Sequence, residues 1–182
     1  MFNQIKSKIS SYILKKRVSK LKRFSTLVTL SEAKKISILF DAHTEQSVTD
    51  VKTFLKHLLK KDLDIDVLGF IVNKGKENKY ISTLHVNYFS VTDVNMFGVP
   101  NSSKIDLFLK NKYDILINLS LDNSFETRYL SLMSNSKYRI GVYADDYDLS
   151  YDLMFKLKIK SLGYFIEQLT HYLELMNYNN EK

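Results

Sequence analysis

Three short runs hold side chains that could do chemistry: Asp41-Ala42-His43-Thr44, Ser120-Leu121-Asp122-Asn123 and Asp145-Asp146. Asp41 stands two residues from His43, a carboxylate near an imidazole, which is the pairing used to move protons. Ser120, Asp122 and Asn123 add a hydroxyl, a carboxylate and an amide. Asp145, Asp146 and Asp148 could gather oxygen ligands for Mg²⁺. A solvated acidic turn explains the same run, so no metal is assigned. No G-x-S-x-G elbow surrounds a serine, and His57, His85 and His171 lie scattered with no H-x-x-x-H pairing. No catalytic residue is assigned. Thr44, Ser47, Asp122 and Ser124 also carry a plainer reading as helix caps.

A phosphate cradle needs backbone N–H groups in close approach, which glycine permits and other side chains obstruct. Neither G-x-G-x-x-G nor G-x-x-x-x-G-K-[ST] occurs, and the loop after residue 40 has no glycine. No nucleotide cofactor held in the standard way is expected.

A second chemical feature is a block of charge. Residues 1–35 hold ten lysines and arginines against one acid, Glu32. The other 147 residues carry seventeen bases and nineteen acids, so the chain's net +7 belongs to its first segment. Within that segment Lys6, Lys8, Lys15, Lys16, Arg17, Lys20, Lys22 and Arg23 are interleaved with Tyr12, Leu14, Val18, Leu21 and Phe24. Such a basic amphipathic stretch fits nucleic-acid phosphates or anionic lipid headgroups. RNA or a ribonucleoprotein is favoured over the membrane face, because polar residues interrupt the apolar stripe. A solvated helix lying on its own domain is the plain alternative, and pairing with a protein partner is a third.

These groups must be positioned by the elements between them. Residues 2–23 have good helix formers and no Pro or Gly, with one stripe from Phe2, Ile5, Ile9, Tyr12 and Ile13 and a second from Leu14, Val18 and Leu21. Two rotated stripes predict a bend, or a helix held by more than one partner. Residues 35–40 (KISILF), 65–72 (IDVLGFIV) and 115–119 (ILINL) are apolar, β-branched runs suited to strands buried on both faces. Residues 138–143 (YRIGVY) make another, residues 80–89 alternate as a third strand nearer an edge, and residues 151–157 (YDLMFKL) suit an edge strand.

Helical spacing falls between the strands. Val48, Val51, Leu55, Leu58 and Leu59 share one face, capped by Thr44 or Ser47 and ending near Lys60-Lys61. Ile105, Phe108 and Leu109 mark a short helix after Ser102 or Ser103. Phe125, Tyr129, Leu130 and Met133 mark another. Leu162, Phe165, Ile166, Leu169, Tyr172, Leu173 and Met176 run for four turns. Strand–helix alternation predicts an α/β fold: a Rossmann-like open, mostly parallel sheet of five or six strands with helices on both faces. The expected division is a basic helical arm at 1–34, a Rossmann-like domain at 35–177 and a frayed tail at 178–182. In such sheets ligands collect beyond the carboxyl ends of the strands. Asp41, His43, Thr44, Ser120, Asp122, Asn123 and Asp145 are therefore the candidate ligand site.

The absence of cysteine excludes disulfides, thiolate metal sites and cysteine nucleophiles. No apolar run approaches a membrane span, and no apolar core or cleavage site follows the basic start as in a signal peptide. A cytoplasmic protein is expected, with the inner face of the inner membrane as the alternative placing.

The segment KYDILINLSL followed by SKYRIGVY resembles the N-terminal Rossmann domain of heptosyltransferase-type glycosyltransferases, over residues 35–145. A Tyr-Asp-hydrophobic strand, a helix and an Arg-x-Gly strand correspond to Tyr113, Asp114, Arg139 and Gly141. Those enzymes also carry a second, sugar-nucleotide-binding domain and a Gly-Asp loop after the first strand. Neither stands here, so the resemblance implies the fold alone. The whole chain, with FGVP, DILINLS, YDLMF and the last helix, is also similar to a family of small uncharacterised bacterial proteins. That likeness implies a bacterial cytoplasmic protein and no activity.

Overall fold

The computed structural model describes residues 2–122, 124–143 and 151–180, with side chains described only between residues 7 and 177. Six strands, β1 (Lys35–Asp41), β2 (Asp64–Ile71), β3 (Val86–Ser90), β4 (Lys112–Asn118), β5 (Asn135–Val142) and β6 (Leu153–Phe155), form one sheet in the order β3-β2-β1-β4-β5-β6. All five neighbouring pairs run parallel. The strand order reverses between β1 and β4, which makes that junction the switch point of a Rossmann-like sheet.

The helices are α1 (Phe2–Val18), α2 (Glu45–Leu59), α3 (Ser103–Lys110), α4 (Phe125–Met133) and α5 (Leu162–Asn180). They lie on two faces. Ile36, Ile38, Phe40, Ile115, Ile117 and Leu119 pack with residues of α2 and α5, whereas Leu39, Leu68, Leu116 and Phe89 pack with residues of α1, α3 and α4. That alternation follows from the two-residue period of a strand. Ile36, Ile38, Ile115 and Ile117 are wholly buried, each worth about 1.5–3 kcal/mol of apolar burial. α2 starts on a capping box: Ser47 N–H donates to Thr44 Oγ1, and Thr44 N–H donates to Ser47 Oγ.

β4 and β5 each begin three residues before the runs at 115 and 138, and four other boundaries differ from the sequence pattern. α1 stops at Val18, not near Arg23, because Lys20 and Leu21 N–H groups close a last turn on the Arg17 and Val18 carbonyls. The third strand runs over Val86–Ser90, where residues 80–89 are expected. Tyr80 leaves the sheet line to donate its hydroxyl to the Ala42 carbonyl at 3.0 Å. β6 keeps three of the seven residues at 151–157, since Tyr151 and Asp152 turn inward to bond other elements. α5 continues to Asn180, three residues into the segment expected to fray, while Glu181 and Lys182 lie outside the described residues.

The basic segment lies on the domain. Leu14 and Ser10 of α1 are buried, and Leu14 joins the apolar cluster of α3 and α4. Leu14 and Val18 of one stripe and Ile13 of the other pack inward, while Leu21 and Tyr12 are exposed. Among the described residues, no helix is long and apolar enough to cross a membrane.

Candidate functional site

At the switch point the polar residues find one another. β1 ends on Asp41, whose side chain is buried. Ser120 Oγ donates to one carboxylate oxygen, and Ser124 Oγ donates to the other at 2.8 Å. Ser124 N–H in turn donates to Ser120 Oγ, at 3.2 Å. Asp41 thus ties the end of β1 to the loop before α4. Ser124 bonds Asp41 and lies beside Thr127 instead of capping α4 through its side chain. Burial raises the Asp41 carboxyl above the usual carboxylate range, and the two serine hydroxyls only partly oppose this.

Asn118 completes the arrangement. Its Oδ1 accepts from Ser120 N–H at 3.0 Å, and its Nδ2 donates to Tyr151 Oη at 2.7 Å. Tyr151 lies flat against Gly141 of β5, where a Cβ would stand 2.6 Å from the ring. His43 comes within 4.0 Å of Asp41 but points outward, with 44% of its side chain exposed. Asp122 pairs with Lys160 at the surface. Thr44 is occupied as the α2 cap. Asn123 and Asp145 lie outside the described residues, as do Asp146 and Asp148. Asp41, His43, Thr44 and Asp122 do line one crevice, of about 330 Å³, with Leu119, Lys160 and Leu162. Ser120 serves it from behind through Asp41. Each of the buried polar groups here is already bonded within the chain. No group of three metal-ligating side chains occurs among the described residues.

The arm's cations divide by type. Arg17 donates to Tyr129 Oη of α4. Arg23 grips Asp152 with both terminal nitrogens and donates to the Ser136 and Lys137 carbonyls, at 3.1 and 2.9 Å. Asp152 also accepts from Arg139 N–H of β5 at 2.8 Å. Burial works to raise the Asp152 carboxyl, but Arg23, Ser25 and the Arg139 amide outweigh it and hold the group below the usual range. By contrast Lys8, Lys15, Lys16, Lys20 and Lys22 are exposed, and none makes an ion pair with a described acid. Phe24 stands among them 86% exposed. The Lys6 side chain lies outside the described residues.

A second hollow, of about 550 Å³, opens beside the crevice over β2 and β3. α2 forms one wall through Glu45, Val48, Thr49 and Lys52, and the connection from β2 to β3 forms the other through Lys76, Lys79, Tyr80 and Thr83. Sequence reasoning passed over these lysines, since they come from separate segments. Their one local signal is the shared helical face of Glu45, Thr49 and Lys52.

The four residues behind the glycosyltransferase resemblance do structural work. Tyr113 Oη lies 3.2 Å from Asp66 and from the Phe108 carbonyl, and Asp114 accepts from Lys34 and Lys35 N–H and pairs with Lys137. Arg139 donates to the Leu132 and Ser134 carbonyls, with burial lowering its guanidinium to about 10. Gly141 makes room for Tyr151. A family model, described as a family of unknown function, matches residues 6–176. No curated protein matches the chain, and no solved structure does.

Proposed function

The chain belongs to the DUF6913 family, and from that premise we propose a non-catalytic binding protein that docks on RNA through the lysines of its basic segment. The carrying observation is the division of labour in the arm. Arg17 and Arg23 hold the segment to the domain, while Lys8, Lys15, Lys16, Lys20 and Lys22 stay exposed. Cations spent on internal acids would have nothing left for a phosphate; these are unspent. Exposed Tyr12 and Phe24 between them supply faces on which unpaired bases can stack. RNA is preferred to a lipid surface because helix insertion needs the apolar stripe of α1, and Leu14 and Val18 already spend that stripe on the domain. A bacterial, cytoplasmic setting belongs to the same proposal.

The test is fluorescence anisotropy of a labelled RNA with the full chain, beside co-sedimentation with phosphatidylserine-rich vesicles. Five phosphate contacts to a single strand predict roughly a hundredfold loss of affinity between about 50 and about 200 mM salt. Reversing the five lysines to glutamate should abolish binding while leaving the fold intact by circular dichroism. No RNA binding at low salt, equal binding by the reversed variant, or binding to vesicles alone would each overturn the proposal.

A further inference from the structure

Two crossovers between neighbouring parallel strands are described throughout, and the one from β1 to β2 carries an α-helix on the sheet, as parallel connections ordinarily do. The other is residues 72–85, which join β2 to β3 with a single 3₁₀ turn, Glu77–Lys79. This connection arches over the face that α2 covers, and the missing helix leaves the 550 Å³ hollow between them. The far wall is anchored, since Tyr80 Oη donates to the Ala42 carbonyl and the Tyr80 ring packs on Tyr88 with centroids 5.3 Å apart. The volume falls within the roughly 300–1,000 Å³ of small-molecule sites.

The lining is cationic. Lys52 from α2 and Lys76 and Lys79 from the connection face the hollow against one carboxylate, Glu45. None of the three lysines makes an ion pair among the described residues. Tyr80, Tyr88 and Ile81 supply apolar surface beside them, and His43 and Thr44 form the border with the crevice. The hollow also lies at the first turn of α2, where the helix dipole favours negative charge. Lysine binds phosphate as a point charge at the end of a long stem and needs no close backbone approach. The glycine-free loop after β1 is therefore no obstacle here.

We propose that this hollow binds a small phosphate ester of about mononucleotide size, its phosphate held by Lys52, Lys76 and Lys79 and its organic part lying on Tyr80 and Tyr88. The site is separate from the five arm lysines, so it stands or falls apart from RNA docking.

Isothermal titration of the full chain with AMP, adenosine and inorganic phosphate tests it. AMP should bind, and adenosine should bind at least about tenfold more weakly, because a charged hydrogen bond is worth about 1.4 kcal/mol or more. Each of Lys52→Gln, Lys76→Gln and Lys79→Gln should weaken AMP about tenfold, and the arm reversal should leave it unchanged. Tyrosine fluorescence should also report AMP in the wild type and not in the triple variant. The proposal is overturned if AMP fails to bind, if inorganic phosphate binds as well as AMP, if the triple variant binds like the wild type, or if the arm reversal removes AMP binding.

Discussion

Two hollows lie side by side at the carboxyl end of the sheet, and they are opposites. In the crevice at the switch point and behind it, Asp41 is shared by Ser120 and Ser124, the buried Asn118 is taken by Ser120 and Tyr151, and Asp122 is paired with Lys160. In its neighbour, Lys52, Lys76 and Lys79 have no ionic partner among the described residues. The residue types of the crevice look more like chemistry, yet they are the ones committed to holding loops. A polar side chain whose bonds are already made has little left to offer a ligand. The same contrast divides the arm, between its bonded arginines and the five exposed lysines that pair with no described acid.

Substitutions that break the bonded side should cost stability, and those on the unpaired side should not. The largest effect is expected at Gly141. Gly141→Val drives side-chain carbons into the Tyr151 ring and should cost about 3 kcal/mol in urea denaturation. Arg23→Ala, which frees Asp152 and unpins the arm, should cost about 2 kcal/mol, below a fully buried pair because both side chains keep some solvent contact.

That pair also sets a pH dependence. The Asp152 carboxyl is lowered in the folded chain, so its contribution is complete above the ordinary aspartate value of about 3.9 and is lost as pH falls through the native value. Acid titration of Arg23→Ala should show a shallower loss than the wild type. Asp41 has the reverse sign. Its carboxyl is raised, so the folded state binds the proton more tightly and the aspartate becomes a growing liability as pH rises above about 3.9. The stability difference between Asp41→Asn and the wild type should therefore drift in favour of asparagine across that rise.

Tyr151→Phe leaves the Asn118 amide short of an acceptor and should cost about 1.5 kcal/mol. The smallest effect sharpens the comparison most. Combined Lys52→Gln, Lys76→Gln and Lys79→Gln should change stability by less than about 0.5 kcal/mol. A large loss there would mean the hollow's lysines hold the fold after all.

The sheet is legible in the chain because its central strands are apolar on both faces: ISILF and ILINL admit few other environments. Residues 80–89 mislead for a local reason. Their alternation matches a strand, but Ile81 and Leu84 are 78% and 88% exposed, and the pattern carries no record of Tyr80 reaching for Ala42. Thr44 as the α2 cap is legible because a cap is a three-residue event. Asp41 with Ser120, or Arg23 with Asp152, is not, since periodicity within one segment is blind to partners in another. Of the candidate residues, Asp41, His43, Thr44, Ser120 and Asp122 lie close together in the fold. What their spacing could not convey is that Asp41 would be shared by Ser120 and Ser124, Thr44 taken by the α2 cap and Asp122 by Lys160.

The anchoring of α1 has a consequence for synthesis. Arg17 waits for Tyr129, 112 positions later, and Arg23 for Asp152, 129 positions later. Until the ribosome has made α4 and then the segment after β5, neither arginine has the partner that holds it. A nascent chain halted before residue 129 should therefore present all its arm charges, arginines included, to whatever polyanion stands at the tunnel mouth.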